Sequence, residues 1–124
     1  MWKSGGIKDG VEYAILTNEI YREWSGMTAK EYKQYKGLRK ESLRDNMTDV
    51  EVALSDLGEI ATREIAKKKK PKGLNENIEV AKRGGKIAGN ARRDLEHEIG
   101  ESVVTSNNAL NYKYIDENKK IETK

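Results

Sequence analysis

Apolar residues recur every three or four positions through most of this chain, a pattern that predicts helices. The pattern is strongest from about Asp49 to Lys68, where one helix face would carry Val50, Ala53, Leu54, Leu57, Ile60, Ala61 and Ile65. A second long helix is expected from about Glu76 to Ile99, with a seam formed by Ile78, Ala81, Gly85, Ala88, Leu95 and Ile99. Because only a short segment joins them, the two helices should pack as an antiparallel hairpin.

Two threonines mark the beginnings of helices. Thr28 and Thr48 each stand three residues before a Glu. In such a capping box the Thr oxygen and the Glu carboxylate each accept a free backbone amide. Thr48 begins the first helix of the hairpin, and Thr28 predicts a shorter helix over residues 29–36 that Gly37 stops.

The remaining boundaries rest on weaker signals. A short helix over residues 17–24 would be capped by Thr17, with Leu16, Ile20 and Trp24 on one face. The lysines at 67–70 and the proline that follows predict the end of the third helix, with a loop at Gly73 and Asn75. The fold class is therefore all-α, with about four helices, a long antiparallel helical hairpin and an irregular C-terminal extension.

The ends of the chain predict less structure. Residues 1–10, which contain three glycines, read as a flexible lead-in outside the fold. Residues 11–114 form one helical domain, extended at 102–105 and turning at 106–108, with Leu110, Tyr112 and Tyr114 docked on the body. Residues 115–124 are charged and aperiodic, which predicts a disordered or partner-bound tail.

Four motifs follow one another in a distinctive order: YKGLRK, LRDNMT, ALSDLGEIATREI and ARRDLEHEIG. In this order they resemble the C-terminal region of the bacterial DNA-damage-inducible protein D family, which is related to prophage antirepressors. The resemblance covers roughly residues 12–114. It implies a regulatory domain that contacts protein partners in the DNA-damage response or in prophage regulation. The 124 residues leave no room for the N-terminal antirepressor-type (BRO-like) domain of that family, so activities housed there are not carried over.

Composition narrows the class of protein. With 124 residues, 35% of them hydrophobic and none of them Phe, the chain fits one small domain with a thin core. Because there is no Cys, disulfides and thiolate chemistry are excluded, and a reducing cytoplasm is the expected compartment. The sequence contains no secretory h-region and no run of about 18 apolar residues, so no membrane association is expected.

Basic residues are the strongest candidates for a binding surface, although the net charge is only +3. The lysine block comprises Lys67, Lys68, Lys69, Lys70 and Lys72, and at helical spacing a stripe on the fourth helix comprises Lys82, Lys86 and Arg93 with Arg83 beside it. Together they could attract a nucleic-acid backbone with little sequence preference. The alternative is that the block neutralises a helix end and the stripe is a solvated face.

Other constellations have structural alternatives. Aromatic and basic residues alternate over residues 21–36, which is typical of surfaces that stack on single-stranded bases. The alternative, which the absence of Phe favours, is core packing. The residues are Tyr21, Trp24, Tyr32 and Tyr35 with Arg22, Lys30, Lys33 and Lys36. Arg92 falls on the apolar seam, where a carboxylate from Glu59 or Glu64, or a dimer partner, would have to pair with it. Glycines at 84, 85 and 89 favour close helix packing. The exposed remainder of the seam predicts a homodimer.

No reaction is indicated by the residues that usually carry chemistry. His97 is the only histidine and is expected at the surface, and the sequence around Gly84-Gly85-Lys86 lacks the spacing of a phosphate loop. Carboxylate pairs such as Asp56 and Glu59 show no sign of an acid and base arrangement. The sequence therefore predicts a non-enzymatic domain without metal or cofactor, and direct nucleic-acid binding is the alternative to a protein-binding regulatory role.

Overall fold

The structure is a computed structural model that describes residue 2 and residues 5–109. Its four α-helices are α1 (Gly10–Ser25), α2 (Ala29–Tyr35), α3 (Asp49–Lys69) and α4 (Gly73–Ile99), and a single 3-10 turn lies at Arg44–Asn46. These residues contain no β-strand, and α3 and α4 pack as an antiparallel hairpin. The predicted all-α class and the hairpin are confirmed. The predicted docking of Leu110, Tyr112 and Tyr114 and the tail at 115–124 lie outside the described residues.

Both predicted capping boxes are present. Thr28 accepts from the Glu31 N–H, and the Glu31 carboxylate accepts from the Thr28 N–H at 2.9 Å. Thr48 and Glu51 make the same pair of bonds at the beginning of α3. Local side-chain chemistry therefore sets where α2 and α3 begin.

The predicted beginning of α1 at Thr17 is wrong, because the helix begins seven residues earlier. Its cap is Asp9, whose Oδ1 accepts the Glu12 N–H at 2.9 Å, so Thr17 lies within the helix. Residues just before α1 also belong to the fold. The Ile7 side chain is buried in the core, so residue 7 belongs to the domain and not to a flexible lead-in.

The helix α4 also begins earlier than predicted, at Gly73, so the expected loop at Gly73 and Asn75 is wrong. The Gly73 N–H donates to the Gly5 carbonyl at 2.7 Å, and the Asn77 side-chain amide donates to the Gly73 carbonyl at 2.8 Å. A segment far away in sequence thus takes up a free amide at the beginning of α4. A pattern of neighbouring residues in the sequence cannot predict such a contact.

The contact between α3 and α4 is made by small residues. A Cβ added at Gly84 would lie only 2.6 Å from the Thr62 backbone nitrogen, and one added at Gly58 would lie 3.6 Å from the Ala88 Cβ. The helices approach so closely that larger apolar residues are displaced to the edges of the contact. The predicted seams are therefore partly wrong: Val50 and Ile60 on α3 are exposed, as are Leu95 and Ile99 on α4.

Helix α1 packs into the groove of the hairpin through further glycines. A Cβ at Gly85 would lie 2.9 Å from the Ile20 carbonyl oxygen, and one at Gly89 would lie 2.8 Å from the Glu23 carbonyl oxygen. The expectation that close packing explains the glycines of α4 is confirmed. Gly85 consequently faces α1 and offers no surface to a second molecule.

Candidate functional site

The basic residues of the lysine block and of the α4 stripe are all exposed, and most of them lie at the turn end of the hairpin. Lys67, Lys68 and Lys69 lie in the last turn of α3, where the negative end of the helix dipole stabilises positive charge. Lys70 ends the helix and Lys72 precedes α4. The α4 residues Lys82, Arg83 and Lys86 follow within the next turns, whereas Arg93 lies about two turns beyond Lys86.

These residues do not all share one surface. Lys67, Lys70 and Lys72 line a cleft of about 560 Å³ together with Arg63, Gly5, Ala66 and Pro71. Lys69 and Arg83 line another hollow of about 270 Å³, which shares Pro71 with the cleft and also contains Glu76 and Glu79. The lysine block is therefore divided between two sides of α3, and the first of these sides carries no acidic side chain in its lining.

Few of these cations are neutralised by neighbours. Lys67 pairs with Glu64 at 3.1 Å, where both side chains are exposed, and Arg93 donates a hydrogen bond to the Asn90 side chain. The other seven predicted residues make no ion pair with any residue that the structure describes. An excess of unpaired cations at one end of a domain attracts polyanions.

Sequence reasoning missed Arg63, which connects the cationic cleft to a second hollow. This hollow of about 390 Å³ lies between α1 and α3 and is lined by Trp2, Thr17, Ile20, Tyr21, Ser55, Glu59 and Arg63. Burial raises the pKa of the Tyr21 phenol, while a hydrogen bond with Ser55 opposes the shift. Burial also raises the pKa of Glu59, and the neighbouring Asp56 charge adds to this effect. Only the spacing of Arg63 and Lys67 on one face of α3 could have signalled the connection.

The hairpin carries opposite charge at its two ends. Residues 61–86, at the turn end, hold nine Lys and Arg against three Glu, a net charge of +6. Residues 49–60 and 87–101, at the open end, hold two Arg against eight Asp and Glu, a net charge of −6. Lys36 and Arg44, from outside the hairpin, pair with Glu51 and Asp56 and reduce this imbalance without removing it.

The hairpin side that faces away from α1 carries several large apolar side chains that the described residues leave exposed. Here Val50, Ile60, Ile87 and Leu95 are 38%, 45%, 43% and 37% exposed. Helical periodicity places these residues on adjoining flanks of α3 and α4, with half-buried Leu57, Ala61 and Ala91 between them. We call this set of seven residues the outer face. Large apolar side chains grouped in this way are typical of protein contact sites.

Two of the aromatic residues that alternate with basic residues in the sequence are not available to stack on a base. Trp24 and Tyr32 are buried and their ring centroids lie 5.9 Å apart, with Tyr21 packed against both. The Lys36 side chain is buried as well, so its expected place on a basic surface is wrong. Trp24 and Tyr32 therefore belong to the core, as the alternative interpretation of these aromatic residues predicts.

A buried polar network surrounds Glu51, and no sequence motif predicted this network. The Lys36 ammonium donates to the Glu51 carboxylate at 2.8 Å, with both side chains fully buried. The Tyr32 hydroxyl donates to the same carboxylate. Lys36 also donates to the carbonyls of Thr105 and Asn107 at 2.8 and 2.7 Å. The network thereby holds the segment after α4 against α2 and α3, and its groups are occupied by one another rather than aimed at a ligand.

Arg92 and His97 have structural surroundings. Arg92 pairs with Glu96 at 3.0 Å, so the expected partners Glu59 and Glu64 are wrong. Its guanidinium also donates to the carbonyls of Trp24 and Ser25, both at 3.1 Å, and so caps the end of α1. His97 is exposed as predicted. Among the residues that the structure describes, no group of three His, Cys, Asp or Glu residues could hold a metal ion.

Comparisons with known proteins add no neighbour from which a function could be transferred. No protein-family model, no curated protein and no solved structure matches the chain. In the described part of the chain no helix has the length and apolar character needed to cross a membrane. The residues themselves must therefore carry any functional argument.

Proposed function

We propose that this chain is a non-enzymatic regulatory domain that acts by binding protein partners. The ordered motifs that resemble the C-terminal region of DNA-damage-inducible protein D favour a cytoplasmic role in the bacterial DNA-damage response or in prophage regulation. The observation that carries the proposal is the outer face, where four large apolar side chains are more than a third exposed. A domain with such a thin core gains by covering this surface with another protein.

A second copy of the chain is the partner that the charges beside the outer face favour. Thr62 lies beside Gly84, and Gly58 lies beside Ala88, so Ile60 and Ile87 are nearly level. Measured along the helix axes from this level, Lys68 lies about 12 Å towards the turn end and Asp94 lies about 10 Å towards the open end. A two-fold axis at Ile60 and Ile87 would therefore set Lys68 of each copy near Asp94 of the other.

This dimer differs from the one that the α4 seam predicts. Gly85 contacts α1 and Arg92 caps α1, so neither residue is available to a second molecule. Self-association stays a prediction, and in our proposal the outer face, which includes the exposed seam residue Leu95, provides the contact.

Light scattering tests the dimer directly. We expect a mass near twice 14.1 kDa, which Ile87→Glu should reduce to that of one chain. Val11→Glu is the matched control, because Val11 is an exposed apolar residue on α1 outside the outer face. A mass of one chain for the unchanged protein at all concentrations would refute the dimer.

The regulatory role needs a separate experiment. The tagged chain should capture an identified DNA-metabolism or repressor protein from a bacterial host after DNA damage, and Ile87→Glu should lose this protein while Val11→Glu retains it. Failure to recover any protein of these classes would contradict the regulatory proposal, whatever the oligomeric state.

Direct nucleic-acid binding is the second candidate function, and the unpaired cations at the turn end favour it. Backbone neutralisation should dominate, so the affinity should fall steeply with salt and depend little on sequence. Replacing Lys67, Lys69, Lys82 and Lys86 together with Gln should weaken binding and flatten the salt dependence. Unchanged binding after this replacement would exclude the surface.

A further inference from the structure

Lys70 has the only positive φ among the described residues other than glycine. Its φ and ψ are 50° and 56°, and its N–H donates to the Ala66 carbonyl at 2.8 Å to end α3. Glycine adopts this left-handed conformation without cost, whereas a residue with a Cβ pays about 1 kcal/mol or more. The proline at 71 disfavours the conformation further. Strain of this kind points to a use for the side chain.

The Lys70 side chain lines the cationic cleft. With Arg63, Lys67 and Lys72 it gives the cleft four basic residues, while the rest of the lining comprises Gly5, Ala66 and Pro71. Of the four cations, only Lys67 has an ion-pair partner in the described part of the chain, and that pair with Glu64 is exposed and weak. The cleft is therefore suited to an anion.

The adjoining hollow differs in character from the cleft. Its lining includes the side chains of Trp2, Ile20 and Tyr21, and Arg63 belongs to both spaces. The Trp2 indole N–H is buried and has no hydrogen-bond partner among the described residues. A buried donor without a partner is unfavourable, so an oxygen acceptor on a ligand would stabilise it.

We propose that the cleft binds the backbone phosphates of a single-stranded nucleic acid and that the hollow beside it receives a base. This inference rests on the second candidate function and gives it a site and a strand preference. A single strand is favoured over a duplex because a base must leave its stack to enter an aromatic-lined hollow. Lys70 supplies a phosphate contact at the cost of a strained helix end.

Fluorescence anisotropy with labelled oligothymidylate of about 12 nucleotides tests the site. We expect Lys70→Gln to weaken binding several-fold and to reduce the salt slope by about 0.7, the value of one single-strand phosphate contact. Lys40→Gln is the control, since Lys40 is an exposed lysine that lies outside the lysine block, the cleft and the outer face. An equal loss for both variants would overturn the inference, because it would show a diffuse basic surface.

Lys70→Gly separates the binding role from a structural one. Glycine should relieve the backbone strain and raise the melting temperature, yet weaken binding as much as Lys70→Gln does. A glycine variant that is more stable and still binds fully would overturn the inference. Tighter binding of the matching duplex, or equal affinity for a polyglutamate peptide, would do so as well.

The two levels of the proposal can fail separately. Absence of any oligonucleotide binding refutes the second candidate function and this inference with it. Salt-dependent binding that is insensitive to Arg63→Gln and Lys70→Gln refutes the cleft alone. Quenching of tryptophan fluorescence by the oligonucleotide, lost in Trp2→Leu, supports a base in the hollow.

Discussion

Gly84→Ala tests whether the two long helices are held together by contact between small residues. The added Cβ would lie 2.6 Å from the Thr62 nitrogen and 2.7 Å from its Cα. Both are backbone atoms, so no change of side-chain rotamer relieves the clash. To reach ordinary contact at 3.4 Å the helices must separate locally by about 0.8 Å, which also disturbs the packing at Gly58 and Ala88.

The expected size of the effect follows from two opposing terms. Overpacking a close contact costs about 1–3 kcal/mol or more, whereas replacing Gly by Ala within a helix returns about 0.5–1 kcal/mol. Because the clash here is with backbone, we expect the upper part of the cost and a net destabilisation of about 1–2 kcal/mol. For a domain of this size that corresponds to a fall in melting temperature of roughly 4–8 °C.

Urea and thermal unfolding followed by circular dichroism measure this difference. Gly10→Ala is the matched control, because a Cβ at Gly10 meets no atom within 4 Å and Gly10 also lies in a helix. We expect that control to be neutral or slightly stabilised. Equal stability of the two variants would refute the close approach of α3 and α4 at Thr62.

Two further predictions concern the network around Glu51. Lys36→Met should destabilise the domain by about 3–5 kcal/mol in urea unfolding, because it leaves a buried carboxylate without its cation; partial recovery in the Lys36→Met/Glu51→Gln double variant checks the cause. Burial and the hydrogen bond to Glu51 raise the pKa of the Tyr32 phenol above its ordinary 10.0. The free energy of unfolding that protonated Tyr32 contributes is therefore fully present below pH 10. Above that pH the unfolded chain ionises first, and stability should fall by up to about 1.4 kcal/mol per pH unit, a slope that Tyr32→Phe should reduce.

Local chemistry made part of the fold predictable. The capping boxes at Thr28 and Thr48 each use residues three apart, so the sequence contains the whole interaction. The hairpin followed from two long periodic segments and a short connection. The contact surface of the hairpin could not be predicted in this way. The residues that touch there are small or polar, such as Gly58, Thr62 and Gly84, and a pattern of apolar residues does not include them.

Contacts between distant segments account for what could not be predicted. Gly5 takes up the first amide of α4, and Lys36 reaches the Thr105 carbonyl 69 residues away. The candidate site divides in the same way. The sequence alone identified the lysine block, because its residues are almost consecutive. Its division between a cleft and a hollow depends on the path of the chain between α3 and α4.

The proposed dimer and the proposed cleft together predict a dependence on oligonucleotide length. The outer face and the cleft lie on different sides of α3, so one chain can use both at once. Lys70 lies ten residues from Ile60, about 15 Å, so a two-fold axis at that level would set the two clefts about 30 Å apart along the hairpins.

A strand must span that distance to occupy both clefts, which requires roughly nine nucleotides at the 3.4 Å rise of a stacked strand. Engagement of the second cleft then becomes intramolecular, so affinity should rise steeply above this length. We expect titrations of oligothymidylates of increasing length to show this step, and Ile87→Glu, which removes the outer-face contact, to abolish it while leaving the affinity for short strands unchanged. A smooth rise in affinity with length that is the same in both proteins would show that the clefts act singly.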